Sequence, residues 1–183
     1  MDSSTPNGVK LEGQLKTEKE NKIPKLSGQV NFVSVAPAGP KWESAIITVT
    51  AIIRNTGAPS IAELSSASME IGERTVDAVV IPPPRDQVNL LVGTKKGEGM
   101  TFLSVDFLPR KAMSQPIPTG GAVSGFIQLF VAKVEREEVY SNGIITLTFK
   151  DVLDNKYTLK SAKGDQGGRQ PILNIDKLQE RGY

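Results

Sequence analysis

A chain of 183 residues with 22 basic and 20 acidic side chains, a formal net charge of +2, contains neither cysteine nor histidine. Those absences remove disulfides, thiolate nucleophiles, sulfur-ligated zinc, the Ser-His-Asp triad and histidine-ligated metals together. The balanced charge leaves no electrostatic footprint for nucleic acid, and with 5% aromatic residues the core has to be built from Val, Ile and Leu.

Residues 1–25 carry Lys10, Glu12, Lys16, Glu18, Lys19, Glu20, Lys22 and Lys25 among few apolar side chains, the composition of a flexible polar tail or stalk. The polar, acidic start has no apolar run behind it, so no secretory signal is expected. From Leu26 onward, short β-branched runs alternate with glycine and proline. Residues 29–36 alternate and stop at a turn bounded by Pro37 and Pro40. The run at 43–59 is the clearest. Ile47, Val49, Ala51 and Ile53 share one face, and Ile46, Thr48, Thr50 and Ile52 the other, before an Asn-Thr-Gly-Ala-Pro turn. A β-branched run that is apolar on both faces predicts a strand near the middle of a sheet.

Residues 66–71 and 75–81 read as a hairpin about Gly72 and Glu73, and three prolines at 82–84 end it. Residues 87–92 lead into a basic, glycine-rich turn at 93–99. A strand over 100–108 is expected to place Leu103, Val105 and Phe107 on one face. After a loop at 109–121, residues 122–134 read as a long strand, buried between layers or bulged at Gly125. Residues 143–151 form a half-buried strand with Ile145, Leu147 and Phe149 inward. Asp154 and Asn155 turn the chain into 156–160. Residues 163–170 are loop, and 174–178 a short helix or added strand.

Seven to nine such strands predict an all-β fold, an immunoglobulin-like two-sheet antiparallel β-sandwich with Greek-key connections. It spans 26–162, between the tail at 1–25 and a C-terminal loop and short terminal element at 163–183. The longest apolar stretches are too short to span a bilayer as a helix, so no direct membrane insertion is expected.

Three segments, ITVTAIIRNTGAPSIAE (47–63), QPIPTGGAVSGFIQLFV (115–131) and ITLTFKDVLDNKYTL (145–159), together resemble a family of small bacterial immunoglobulin-like domains. Such domains are often carried behind an N-terminal membrane anchor, and a strand ending in an Asn-x-Gly turn also occurs in CARDB-like immunoglobulin folds. The resemblance covers residues 26–160. It implies an immunoglobulin-like fold and an extracytoplasmic setting at the cell envelope, with no catalytic residues to carry over.

Several residues offer chemistry beside a plainer account. The glycines of 93–99, with Lys95 and Lys96, suit anion binding through backbone N–H groups, but the P-loop pattern is missing and a charged hairpin tip is simpler. Glu135, Glu137 and Glu138 cluster, and Asp106, Asp151 and Asp154 lie near strand ends, yet no catalytic constellation assembles from them. Asp151, Asp154 and Asn155 read as a turn rather than a calcium loop. Arg85 follows a proline-rich stretch suited to docking. Trp42 is the one plausible aromatic platform, joined by Tyr140 or Tyr157 in a carbohydrate-binding reading.

The candidate binding residues are therefore Trp42, Arg85, Lys95 and Lys96, with no catalytic residue, metal or cofactor. The expected role is a non-catalytic protein-interaction or structural module. It would meet a protein partner or itself through loops or an edge strand at 75–81 or 87–92, with a carbohydrate-binding β-sandwich as the alternative.

Overall fold

The run apolar on both faces sits where two buried faces require it. The computed structural model describes residues 23–83, 89–93 and 99–164. In it β2 (Ser44–Asn55) lies between β1 (Leu26–Ala38) and β7 (Ala122–Val131). With β3 (Glu63–Ile71), β4 (Arg74–Val80), β8 (Gly143–Lys150) and β9 (Lys156–Lys160), these strands form one curled antiparallel sheet, a half-barrel, in the order β1-β2-β7-β4-β3-β8-β9. A separate ribbon pairs β5 (Asn89–Gly93) with β6 (Gly99–Leu103). The all-β expectation is met.

The curl has a visible cause in β4. Its residues 74–77 pair with β3, and its residues 78–80 pair with β7. A strand that changes partner midway turns a corner between two groups of strands. Ile47 and Val49 of β2, Ile127 and Leu129 of β7, Met69 of β3, and Ile145 and Leu147 of β8 all belong to one buried cluster. Seven alternately antiparallel strands leave the first and last pointing the same way, and β1 meets the chain just after β9 at a parallel bridge, Val30–Ser161.

Two seven-residue helices stand between the expected strands, the first in the expected loop at 109–121. Helix α1 (Leu108–Ser114) starts with proline in its first turn and buries Leu108 and Ala112 in the main core. Helix α2 (Arg136–Asn142) opens on a capping box between Glu135 and Glu138. The clustered glutamates are therefore a helix start, with Glu138 also holding Arg74 at 2.8 Å. Among the described residues no helix is long and apolar enough to cross a membrane.

Three further expectations change. Strand β6 ends at Leu103, and a 3₁₀ turn (Ser104–Asp106) follows. Phe102 is buried while Leu103 and Val105 are 46% and 70% exposed. Leu103 and Val105 thus lie out of phase with the expected face, and the 3₁₀ turn resets the pattern so that Phe107 is buried as expected. Phe102 and Phe107 pack their tilted rings against Phe126, with ring centroids 5.0 and 5.7 Å away, in a second cluster that also holds Val33. There is no bulge at Gly125, because β7 keeps continuous register with β2 from Ala122 to Val131. Finally, residues 75–81 are not an edge, since β4 is enclosed between β3 and β7.

The outermost strand on the other side is β1. The Tyr140 hydroxyl accepts from the Val35 N–H at 3.3 Å and lies 3.4 Å from the Val35 carbonyl. Pro37, two residues on, has no N–H to offer. A side-chain plug and a proline are ordinary ways to keep a strand edge from recruiting another chain.

Candidate interaction surfaces

The strand directions give the domain two ends. At the upper end the β1–β2 turn carries Trp42. Gly39 takes φ +86° and Trp42 φ +58°, with the Trp42 N–H donating to the Gly39 carbonyl at 3.1 Å. The Lys41 N–H donates to the Glu43 carboxylate at 2.8 Å. Left-handed backbone suits glycine and costs an L-residue about 1–2 kcal/mol. This turn nevertheless holds the chain's one tryptophan, 69% exposed.

Two residue pairs below that turn, a row of side chains crosses four strands in register. Ala36 lies opposite Ile46, Ile46 opposite Phe130, and Phe130 opposite Val79. Directly opposed residues share a face, and this row faces away from the main core. Ala36 and Val79 are exposed, and Ile46 and Phe130 half-buried.

At the lower end the loops are tied together by one buried amide. The Asn55 side-chain oxygen accepts from the N–H groups of Lys25 at 3.2 Å and Gly57 at 3.0 Å. Its nitrogen donates to the carbonyls of Ala58 at 2.6 Å and Ile117 at 2.9 Å. Asn55 thus joins the entering chain, the β2–β3 loop and the segment before β7, and it is fully buried. Gly57 has no room for a side chain, because a Cβ there would run into the Ile23 carbonyl. Ser60 continues the network: it pairs with Ile117, and its hydroxyl accepts from the Val152 N–H at 3.1 Å.

The turn between β8 and β9 is built on Asp151. Its carboxylate accepts from the N–H groups of Leu153 at 2.7 Å and Asn155 at 2.9 Å, and from the Asn155 amide at 2.9 Å. The Tyr157 hydroxyl, 3.1 Å away, shares its one proton between this carboxylate and the Pro24 carbonyl. Burial alone would push the Asp151 carboxyl up. The hydrogen bonds from Asn155, Leu153 and Tyr157 outweigh it and hold the group below the ordinary carboxylate value. The same burial, with Asp151 beside it, pushes the Tyr157 phenol up.

A pH dependence follows from that sign. A depressed folded pKa contributes stability that is complete above the unfolded value of about 3.9 and lost as pH falls through the lower folded one. Urea unfolding in that acid window should show a loss in the wild type that D151N lacks. Parallel acid profiles for the two proteins would contradict the turn's dependence on the carboxylate.

Trp42 is thus placed in the open at the upper end, whereas Arg85, Lys95 and Lys96 lie outside the described residues. The two tyrosines of the carbohydrate reading are engaged elsewhere. Tyr140 bonds the β1 edge with the Arg136 guanidinium 5.2 Å from its ring centre, and Tyr157 closes the Asp151 turn. The acids are engaged too: Asp106 pairs with Lys111 at 2.9 Å, and Asp154, with φ +61°, pairs with Lys150 at 3.4 Å. Among the described residues no three His, Cys, Asp or Glu side chains group as a metal site. Sequence reading missed the lower end, although Val152 and Leu153 at the tip of a turn, where polar residues are usual, were its available signal. No protein-family model matches the chain, and no curated protein matches it.

Proposed function

We propose that this chain is a non-catalytic protein-interaction module with an immunoglobulin-like two-layer fold, presenting its upper end to a protein partner. The observation that carries the reading is Trp42, exposed on backbone that a glycine would occupy at lower cost. Backbone strain of this kind clusters at functional sites, and of the three non-glycine residues that carry it among those described, Trp42, Lys133 and Asp154, only Trp42 brings a large apolar side chain. Tryptophan is enriched among residues that dominate binding energy, and the half-exposed row of Ala36, Ile46, Phe130 and Val79 supplies apolar area beside it.

The strand order supports the two-layer fold. β1, β2, β7 and β4 follow the order of one immunoglobulin sheet, β3, β8 and β9 that of the other, with β4 as the corner between them. The bacterial envelope setting rests on the sequence resemblance. With Tyr140 and Tyr157 engaged in the fold, the carbohydrate reading keeps only the exposed Trp42 ring of its three.

Site-specific photocrosslinking tests the function. A photoreactive residue at Lys41 should give a discrete protein adduct that disappears when Trp42 is also replaced. An adduct at twice the chain mass would make the partner a second copy, and one at another mass a different protein. Crosslinking from Lys41 no stronger than from exposed Thr158 on β9, or unchanged by loss of Trp42, would defeat the proposal.

A further inference from the structure

The lower end carries a second surface, independent of Trp42. Ile23, Met113, Val152 and Leu153 are 48%, 42%, 54% and 57% exposed there. They lie on segments bound to one another by hydrogen bonds. The Ala58 N–H donates to the Ile23 carbonyl, the Ala62 N–H to the carbonyl of Ala112 beside Met113, and the Val152 N–H to Ser60. Val152 and Leu153 form the outermost point of a turn that Asp151 holds in one shape. Val152 and Leu153 thus stand exposed at the tip of a hydrogen-bonded turn.

The charge around the tip is lopsided. Lys150 and Lys156 face each other in register at its base, an arrangement that costs stability between like charges. Lys25 and Arg54 are exposed at the same end. Among the described residues, two exposed carboxylates stand against these four cations at this end: Asp154, which pairs with Lys150, and Glu63, opposite Lys150 on β3. Asp151 is buried in its own turn.

We infer that this end docks reversibly on an anionic lipid surface. Val152, Leu153 and Ile23 enter the headgroup–acyl boundary, and Lys25, Arg54, Lys150 and Lys156 meet the phosphates. Aliphatic side chains exposed at the tip of a turn suit a bilayer interface, which yields around them, and affinity for it grows with buried apolar area plus attraction to anionic headgroups. The docking is peripheral, a different thing from the spanning helix that the sequence argues against. Seated this way, the domain holds Trp42 at the end away from the lipid.

The absence of cysteine gives a clean test with the full chain. L153C carrying a polarity-sensitive dye should shift to the blue on vesicles of phosphatidylcholine with added phosphatidylglycerol, and a dye on K41C should not. Cosedimentation with those vesicles should fall at least tenfold in V152S/L153S, about fivefold in K156Q, and steeply with added salt. Circular dichroism checks that each variant is folded.

Lack of binding by the folded wild type, binding indifferent to V152S/L153S, or equal dye shifts at both positions would overturn the inference. So would a Leu153 dye that responds to envelope proteins and not to vesicles, which would make the tip a protein contact. None of these readouts involves Trp42, so failure here leaves the proposed function to its own test.

Discussion

Replacing Asn55 by alanine is expected to destabilise the domain by about 3–5 kcal/mol, measured as a lower urea midpoint with an unchanged slope. The side chain is fully buried and makes four hydrogen bonds to three separate segments. Each buried group left without a partner costs about 1–3 kcal/mol, and the four losses overlap because the freed loops relax together. N55D sharpens the argument. It keeps an acceptor for the Lys25 and Gly57 N–H groups but turns an oxygen toward the Ala58 and Ile117 carbonyls. It should rescue little, and hydrogen exchange should quicken at Lys25, Gly57 and Ala58 in both variants. A loss below about 1 kcal/mol in N55A would mean that the loops hold together without it.

The second large effect is expected at Gly125. The chain leaving the 3₁₀ turn crosses directly over this residue on its way into α1. A Cβ there would collide with the Asp106 carbonyl oxygen and come within 3.1 Å of Leu108 Cα and Cβ. The obstacle is main chain, so no side-chain rotamer relieves it. Either β7 or the start of α1 must move, and both are packed in the core through Ile127, Leu129, Leu108 and Ala112. Overpacking a core typically costs about 1–3 kcal/mol, occasionally more. G125A should lie at or above the top of that range, and G125V should fail to fold. Shortening Leu108 to alanine in the G125A background should not restore stability, because the oxygen remains. A near-neutral G125A would show that the crossing yields to a methyl group.

These two residues also mark how far the sequence can be read. Asn55 and Gly125 stood out as a turn and a suspected bulge, which names their local conformations but not their partners. Their partners lie 62 residues away for the Asn55–Ile117 bond and across a chain crossing for Gly125. Nothing in local periodicity encodes such distances. The strands were legible because each carries its signal within itself: β8 alternates without a break, and β2 is apolar on both faces. Helix α1 hid because a seven-residue helix spans only two turns, too short for a 3.6-residue period to emerge.

The surfaces were legible in part. Trp42 could be picked out as an exposed ring because it stands between turn residues. Its left-handed backbone could not, since tryptophan gives no hint of positive φ. The Val152–Leu153 tip was passed over because Asp151 and Asn155 so clearly signal a turn, and the apolar residues between them look incidental until the Asp151 hydrogen bonds fix their direction.

The most direct measurement concerns W42G, taken through urea unfolding and photocrosslinking from Lys41 side by side. Glycine relieves the left-handed backbone and removes a side chain that packs little, so the variant should unfold within about 1 kcal/mol of the wild type while its crosslinked adduct disappears. A W42G protein that keeps the adduct, or one that loses several kcal/mol and behaves as a folding mutant, would show that this tryptophan serves the fold rather than a partner.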